Sequence, residues 1–193
     1  MNLLKDPATF REHAMHYNQR RWGVIGILSL SATEKNLLMW AHYTSAHEGF
    51  LIEFDPSNSF FQSPNKTPAL DFGMITEVTY SKIRLSVDLG EPNTAILTTK
   101  SDEWAYEGEW RIFQHVDDCD KLVKLEHDAV HLFKLPPKSL RRMVVGVRMP
   151  KNKRDAIISA VNKNPDLRHV QLEQAILDLN KFDFNYVPLP LTP

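Results

Sequence analysis

The sequence predicts a single α+β domain with a central, mostly antiparallel sheet and flanking helices. Three observations support this fold class. The chain has 193 residues, a length that one compact domain can occupy. Its composition, 42% hydrophobic and 24% charged, is typical of a globular protein. Segments with strand-like alternation and segments with helical periodicity follow one another, without an internal repeat.

The first predicted elements are a helix, a strand and a second helix. Apolar residues at helical spacing predict an N-terminal helix within residues 1–24. A short apolar run over residues 24–30 predicts a buried strand. Ser31 and Glu34 have the spacing of a capping box, so we expect the second helix to begin directly after them. Trp40 lies on that helix.

The next segments alternate strands with turn signals. Residues 50–55 alternate between apolar and polar positions, which predicts a half-buried strand. Residues 56–71 are rich in Pro, Ser and Asn and predict a mobile surface loop of a length that suits a lid. The other predicted elements are strands at 74–80, 142–148, 169–172 and 182–187, helices at 95–103 and 151–162, and a tail at 188–193.

The charge distribution argues against a polyanionic partner. The formal net charge is −1 and the isoelectric point is near 6.7, so no global positive field is available to hold a nucleic acid. The basic residues near the predicted strand at 142–148, Arg142 among them, are interpreted as a solvated surface. The oligomeric state stays open.

Cysteine content and hydropathy indicate the compartment. A single cysteine excludes an internal disulfide. The apolar runs are too short to span a bilayer, and the N-terminal residues lack a signal-peptide layout. We therefore expect a cytoplasmic protein without a membrane partner.

Residues 106–113, YEGEWRIF, contain two carboxylates and one cation at strand spacing. Alternation places Glu107, Glu109 and Arg111 on one face of a strand, roughly 7 Å apart. Arg111 can then neutralise Glu109, while Glu107 is expected to raise the pKa of Glu109. This arrangement suits a carboxylate that orients a sugar hydroxyl or stabilises an oxocarbenium-like transition state. It equally suits a structural salt-bridge ladder.

A second polar block, WAHYTSAH, contains His42, Tyr43 and His47. Histidines act as general acids, as ligands or as hydrogen-bonding groups. His42 and His47 are five residues apart, which differs from the four-residue spacing of two ligands on one helical face, and no cysteine accompanies them. The sequence therefore predicts no metal site. It also lacks a Gly-rich phosphate loop and the common hydrolase fingerprints.

Several rare residues recur in a characteristic order, in the segments SLSATEKNLLMWAHYTSAHEGFLIEFD, VTYSKIR, KSDEWAYEGEWRIF and VVGVRM. In these segments the chain resembles a bacterial family known as domain of unknown function twenty-nine seventy-one, with its W-x-H-Y block, G-F strand and K-x-x-x-W-x-Y-E-x-E-[WY]-R block. The resemblance covers roughly residue 25 to the C-terminus. It places the family's characteristic positions on Trp40, His42, Tyr43, His47, Gly49, Lys100, Trp104, Glu107, Glu109 and Arg111. Family members usually begin with a further N-D-P-type segment that has no equal before residue 25, so we expect a shortened member or a fragment.

A more distant resemblance is to ADP-ribosyltransferases, in which a strand glutamate binds the nicotinamide ribose. It rests on a Glu followed by an aromatic residue at a strand start, with an earlier His-Tyr pair. The resemblance implies that Glu109 holds a ribose hydroxyl and stabilises oxocarbenium charge. It further implies that Tyr43 stacks on nicotinamide and His42 hydrogen-bonds the ribose. NAD is the cofactor that it implies.

Two functional hypotheses stay open. The first is an enzyme with a carboxylate-centred site that acts on a nucleotide or glycosidic substrate. Its catalytic candidates are Glu109, Glu107, Arg111, His42 and Tyr43, and its substrate-binding candidates are Trp40, His47, Lys100 and Trp104. The second is a non-catalytic interaction or sensor domain in which the same blocks form a structural polar network. A toxin or phage-defence role is an alternative setting that leaves this chemistry unchanged.

Overall fold

The computed structural model describes residues 23–67, 70–85, 95–126 and 128–190. Within these ranges the chain combines helices with antiparallel sheets, so the α+β fold class is confirmed. The helix predicted within residues 1–24 lies outside the described residues, apart from its last two positions, which form a turn. None of the described helices is long and apolar enough to cross a membrane.

The described elements are, in chain order, β1 (Ile25–Ser31), α1 (Leu37–Tyr43), β2 (Phe50–Phe54), β3 (Gln62–Thr67), β4 (Leu70–Glu77), β5 (Thr79–Ser81), α2 (Ala95–Thr98), β6 (Thr99–Ser101), β7 (Glu109–His115), β8 (Lys121–Lys124), β9 (Ala129–Leu132), β10 (Leu140–Val145), α3 (Lys151–Lys163), β11 (Gln171–Leu177) and β12 (Phe184–Pro188). Short 3-10 turns occupy Ser59–Phe61, Asp102–Glu107, Val116–Asp118, Pro137–Ser139 and Pro165–Leu167.

The strands of the described residues are divided between two four-stranded sheets and two two-stranded ribbons. The first sheet has the order β1-β7-β4-β3 and is antiparallel throughout. The second sheet has the order β12-β11-β10-β2, and its parallel pair, β10 and β11, is joined by helix α3. Parallel neighbours need such a crossover connection. Alternation identifies the buried face of a strand and not its pairing partner, so the division into two sheets was not predictable from it.

The main apolar cluster lies where helix α1 packs against the second sheet. Trp40 of the helix forms one buried apolar cluster with Val144, Ala175 and Phe184. The rings of Trp40 and Phe184 meet edge to face with centroids 5.7 Å apart. This packing fixes helix α1 and therefore the position of Tyr43 at the end of that helix.

Strand β1 is more exposed than the apolar run over 24–30 predicts. Ile27 and Leu28 are 45% and 41% exposed. β1 is an edge strand of the first sheet, and an edge position leaves part of its surface uncovered within the described residues.

The segment 56–71, predicted as a mobile loop, contains the 3-10 turn Ser59–Phe61 and strand β3. β3 pairs with β4, and its register shifts between Gln62 and Asn65. Pro64 falls within that shift, on an edge strand, where the missing N–H of proline is tolerated. The loop prediction is therefore corrected, because Pro, Ser and Asn mark an irregular edge strand here.

The predicted tail at 188–193 begins later than expected. β12 extends to Pro188, and the N–H of Leu189 donates to the carbonyl oxygen of Leu172 at 2.8 Å. Residues 191–193 lie outside the described residues.

Helix α1 begins later than the predicted capping box places it. Asn36 is the N-cap, and its side-chain oxygen accepts hydrogen bonds from the N–H groups of Leu38 and Met39 at 2.9 and 3.2 Å. The hydroxyl of Ser31 instead donates to the carbonyl oxygen of Glu107 at 2.6 Å. Asn is as good a cap as Ser, and Asn36 lies next to the apolar run, so it starts the helix.

Candidate functional site

The two polar blocks meet at a group of side chains that we call the charged cluster: Tyr43, Lys100, Glu107, Glu109 and Arg111. Glu107 ends the 3-10 turn Asp102–Glu107, and Glu109 begins β7. Gly108 between them has φ 51°, in the left-handed region that glycine adopts readily. Alternation had predicted that the two carboxylates lie on one strand face, and this prediction is wrong. Glu107 reaches Lys100 from a turn, and Glu109 reaches it from a strand.

Glu109 is 5% exposed and is paired with two cations. Its Oε1 accepts from Nε of Arg111 at 2.8 Å, and its Oε2 accepts from Nη2 of Arg111 at 3.1 Å and from Nζ of Lys100 at 3.0 Å. Burial alone would raise the pKa of Glu109, but hydrogen bonds from Arg111, Ser29 and Lys100 outweigh it and lower the pKa to about 2. The sequence led us to expect an upward influence of Glu107 on this pKa, but the net shift is downward because the hydrogen bonds to Arg111, Ser29 and Lys100 outweigh burial.

Glu107 is 3% exposed and holds the hydroxyl group of Tyr43. Its Oε1 accepts from the Tyr43 hydroxyl at 2.7 Å, and its Oε2 accepts from Nζ of Lys100. The hydrogen bond to Glu107, with burial adding to it, raises the pKa of Tyr43. For Lys100, burial opposes the charged form, but hydrogen bonds to Glu107 and Glu109 outweigh it and raise the pKa.

Further hydrogen bonds tie the charged cluster and its 3-10 turn to three neighbouring segments. Arg111 donates through Nη1 to the carbonyl oxygen of Leu97 in α2. The backbone N–H of Glu109 donates to the hydroxyl of Tyr80 in β5 at 2.7 Å. Asn36 donates to the carbonyl oxygen of Tyr106 at 2.8 Å, which joins helix α1 to the 3-10 turn. The cluster is thus held rigidly from several sides.

The surface beside the cluster is aromatic, and we call Tyr43, Trp104 and Tyr106 the aromatic rim. Tyr43 is 61% exposed and Trp104 is 39% exposed. The rings of Trp104 and Tyr106 have centroids 6.0 Å apart. Nζ of Lys100 lies 5.1 Å from the Trp104 centroid, in the range of a cation–π contact.

Three predicted site residues lie apart from the charged cluster. Trp40 is buried in the core and donates through Nε1 to the carbonyl oxygen of Glu34 at 2.8 Å. His42 is exposed in the last turn of α1. His47 has φ 71°, and its ring lies 5.7 Å from that of Phe184. In the described part of the chain, no hydrogen bond joins these three side chains to the cluster, and no group of three or more His, Cys, Asp or Glu has the arrangement of a metal site.

Sequence reasoning missed a second group, which we call the Arg142 cluster: Arg142, Glu34, Glu53 and Glu173. Arg142 donates through Nε to Glu53 at 2.7 Å and through Nη1 to Glu173 at 2.9 Å, and its Nη2 contacts Glu34. Burial opposes the charge, but hydrogen bonds to the carboxylates outweigh it and raise the pKa of Arg142. The side chain is 16% exposed, so its assignment to a solvated surface is corrected. One feature of the sequence could have indicated this cluster. The strands on either side of β10, β2 and β11, each contain a Glu among apolar residues.

A family profile with the description "Protein of unknown function (DUF2971)" matches residues 39–112. This segment of the chain is therefore similar to the DUF2971 family. The match confirms the resemblance that the W-x-H-Y and E-x-E-W-R blocks indicate, and the DUF2971 segment contains every member of the charged cluster. Comparisons with curated proteins and with solved structures give no match.

Proposed function

We propose that this chain is a non-catalytic interaction domain that binds a planar small-molecule ligand, such as a nucleotide, on the aromatic rim. In this proposal the charged cluster is a structural polar network. The observation that carries it is that each carboxylate oxygen of Glu107 and Glu109 already accepts a hydrogen bond from Tyr43, Lys100 or Arg111. A carboxylate that acts on a substrate must have an oxygen within hydrogen-bond reach of it.

The charge balance of the cluster supports the same proposal. Two carboxylates meet two cations, so the buried group is neutral as a whole. Removal of one charged member would leave the buried group with an uncompensated charge, which is strongly destabilising. The cluster also joins α1, α2, β5 and β7, so it contributes to the fold whether or not a ligand is present.

The aromatic rim is the part of this region that faces a partner. Tyr43 and Trp104 expose rings whose positions are held by Glu107 and Lys100. Rings held in place bind flat ligands with little loss of side-chain entropy. Nucleobases and nicotinamide have such a flat face, and stacking tolerates different bases. A cytoplasmic setting, where nucleotides are abundant, belongs to the same proposal.

Replacement of Trp104 tests the binding surface. We expect Trp104→Ala to weaken binding of AMP or NAD about tenfold, since stacking on one aromatic residue is worth about 1–3 kcal/mol. Isothermal titration calorimetry measures the change. Phe182→Ala is the matched control, because Phe182 is 98% exposed on another part of the chain. Equal affinity of Trp104→Ala and the parent, or no binding of either compound, would reject the proposal.

A specific observation favours an enzyme as the second candidate. The hydroxyl of Tyr43, whose side chain is largely exposed, donates directly to buried Glu107, beside an ionised Glu109. With a pKa of about 2, Glu109 is not a general base or acid at neutral pH, but its charge would stabilise a cationic transition state. This role matches the one implied by the resemblance to ADP-ribosyltransferases, with NAD as substrate.

Nicotinamide release from NAD separates the two candidates. If the chain is an enzyme of this kind, the parent releases nicotinamide, and Glu109→Gln abolishes release under conditions where it is still folded. If it is an interaction domain, NAD is recovered intact after prolonged incubation with the parent. Turnover by the parent that Glu109→Gln abolishes would overturn the interaction-domain proposal.

A further inference from the structure

A cavity of about 770 Å³ lies between the two four-stranded sheets. Its walls are mostly apolar and come from both sheets, with Leu30, Ile75 and Trp110 on one side and Leu51 and Phe54 on the other. The volume lies within the range of about 300–1,000 Å³ that is usual for small-molecule sites. None of the five members of the charged cluster lines it.

Strand β7 separates this cavity from the charged cluster. Trp110 lines the cavity, whereas its neighbours Glu109 and Arg111 belong to the cluster. Successive residues of a strand point to opposite faces, so one strand serves both places. The cavity is therefore distinct from the aromatic rim.

The polar end of the cavity carries excess negative charge. Glu34, Glu53 and Arg142 line it, and Arg142 also pairs with Glu173, which does not line the cavity. The Arg142 cluster thus has three carboxylates for one guanidinium, an excess of two negative charges at neutral pH. The side chains of Glu34 and Glu53 are 38% and 37% exposed, so a ligand can reach them.

The carboxylates keep capacity for a further donor. Glu34 and Glu53 each contact Arg142 through Oε2, and a carboxylate has two acceptor oxygens. Lys35, the residue after Glu34, is a nearby cation, but among the described residues no ion pair joins it to these carboxylates. Its Nζ lies 5.9 Å from the ring centroid of Tyr186 instead. A cation that enters the cavity would relieve the repulsion among the three acids.

We propose that this cavity binds an organic cation with an apolar body, such as a protonated amine on an aromatic or aliphatic group. The ammonium group would donate to Glu34 and Glu53, and the apolar body would contact Trp110 and the aliphatic walls. An anion of the same shape is repelled by the excess negative charge.

Three probes of one shape test the proposal on the unaltered chain: phenethylammonium, neutral 2-phenylethanol and anionic 3-phenylpropionate. Calorimetry should show saturable binding of the cation, at least fivefold weaker binding of the alcohol, and no binding of the acid. A cation that binds no more tightly than the alcohol would overturn the proposal. This comparison needs no variant, so it remains decisive even if a substitution in the cavity prevents folding.

Substitutions then locate the site. Glu53→Gln keeps the shape and removes one charge, and it should weaken phenethylammonium binding roughly tenfold, as expected for a hydrogen bond to a charged group. Glu48→Gln is the matched control, since Glu48 does not line the cavity. Trp104→Ala tests the aromatic rim and should leave the affinity unchanged. Equal effects of Glu53→Gln and Glu48→Gln, or loss of binding in Trp104→Ala, would contradict the assignment to the cavity.

Discussion

Replacement of Glu109 by glutamine is expected to lower the free energy of unfolding by about 3 kcal/mol at pH 7. The environment lowers the pKa of Glu109 from 4.5 to about 2, and this difference corresponds to about 3 kcal/mol in favour of the ionised, folded state. Removal of one partner from a buried ion pair costs about 3–5 kcal/mol in other proteins. Both values are about 3 kcal/mol. Lys100 keeps Glu107 as a partner in the variant, so Arg111 is the charge left uncompensated.

The assay is thermal unfolding of the parent and variant at pH 7. For a chain of this length about 1 kcal/mol shifts Tm by about 2–4 °C, so Glu109→Gln should melt about 6–12 °C lower. Glu103→Gln is the matched control, because Glu103 is exposed in the neighbouring 3-10 turn. Its Tm should change by less than about 2 °C, as for most surface substitutions.

The pH dependence provides a second readout of the same ion pair. The folded-state pKa of Glu109 lies below its unfolded value, so its contribution is fully present above about pH 4.5 and is lost as the pH falls towards 2. Glutamine does not titrate, so the stability difference between parent and variant should shrink across this window. An equal Tm at pH 7, or a difference that persists unchanged at pH 2.5, would refute the reasoning.

Two further predictions concern the segments that position the site. Asn36→Ala removes the N-cap of α1 and the hydrogen bond to the Tyr106 carbonyl. Urea unfolding should show that the free energy of unfolding falls by about 1–2 kcal/mol. An unchanged unfolding midpoint would contradict the capping role. Gly146→Ala places a Cβ 2.2 Å from the carbonyl oxygen of His47 and 2.8 Å from that of Gly49, so its Tm should fall by several degrees, at a cost of about 1–3 kcal/mol. A Gly26→Ala variant, whose Cβ would have ordinary contacts at 3.6 Å or more, is the control, and an equal Tm in both variants would contradict the predicted clash.

Local patterns in the sequence predicted elements better than they predicted pairing. Strands β2 and β10 and helix α3 lie close to their predicted ranges, because alternation and helical periodicity reflect which face is buried. The start of α1 was missed because Ser31 and Asn36 both carry capping groups, and only the packed structure shows that Ser31 is used elsewhere. The division of the strands between two sheets depends on contacts distant in sequence.

The candidate site was predicted in composition but not in geometry. The family blocks indicated Lys100, Glu107 and Glu109, and these side chains do meet. Strand alternation placed both carboxylates on one strand face, but Glu107 lies in a 3-10 turn that ends at the left-handed Gly108, so alternation does not apply to it. The ion pairs of Arg142 join residues from four separate segments, and no local pattern carries that information.

Strand β7 also determines which changes in chain length the fold can accept. A single residue inserted between Glu109 and Trp110 would exchange the two faces of the strand from that point on. The indole of Trp110 would then take the place of Arg111 beside Glu109, and the guanidinium of Arg111 would turn towards the apolar cavity. The hairpin formed by β8 and β9 has exposed apolar side chains such as Leu122 and Leu125 and does not separate two such environments. Variation in length is therefore expected in that hairpin and not in β7.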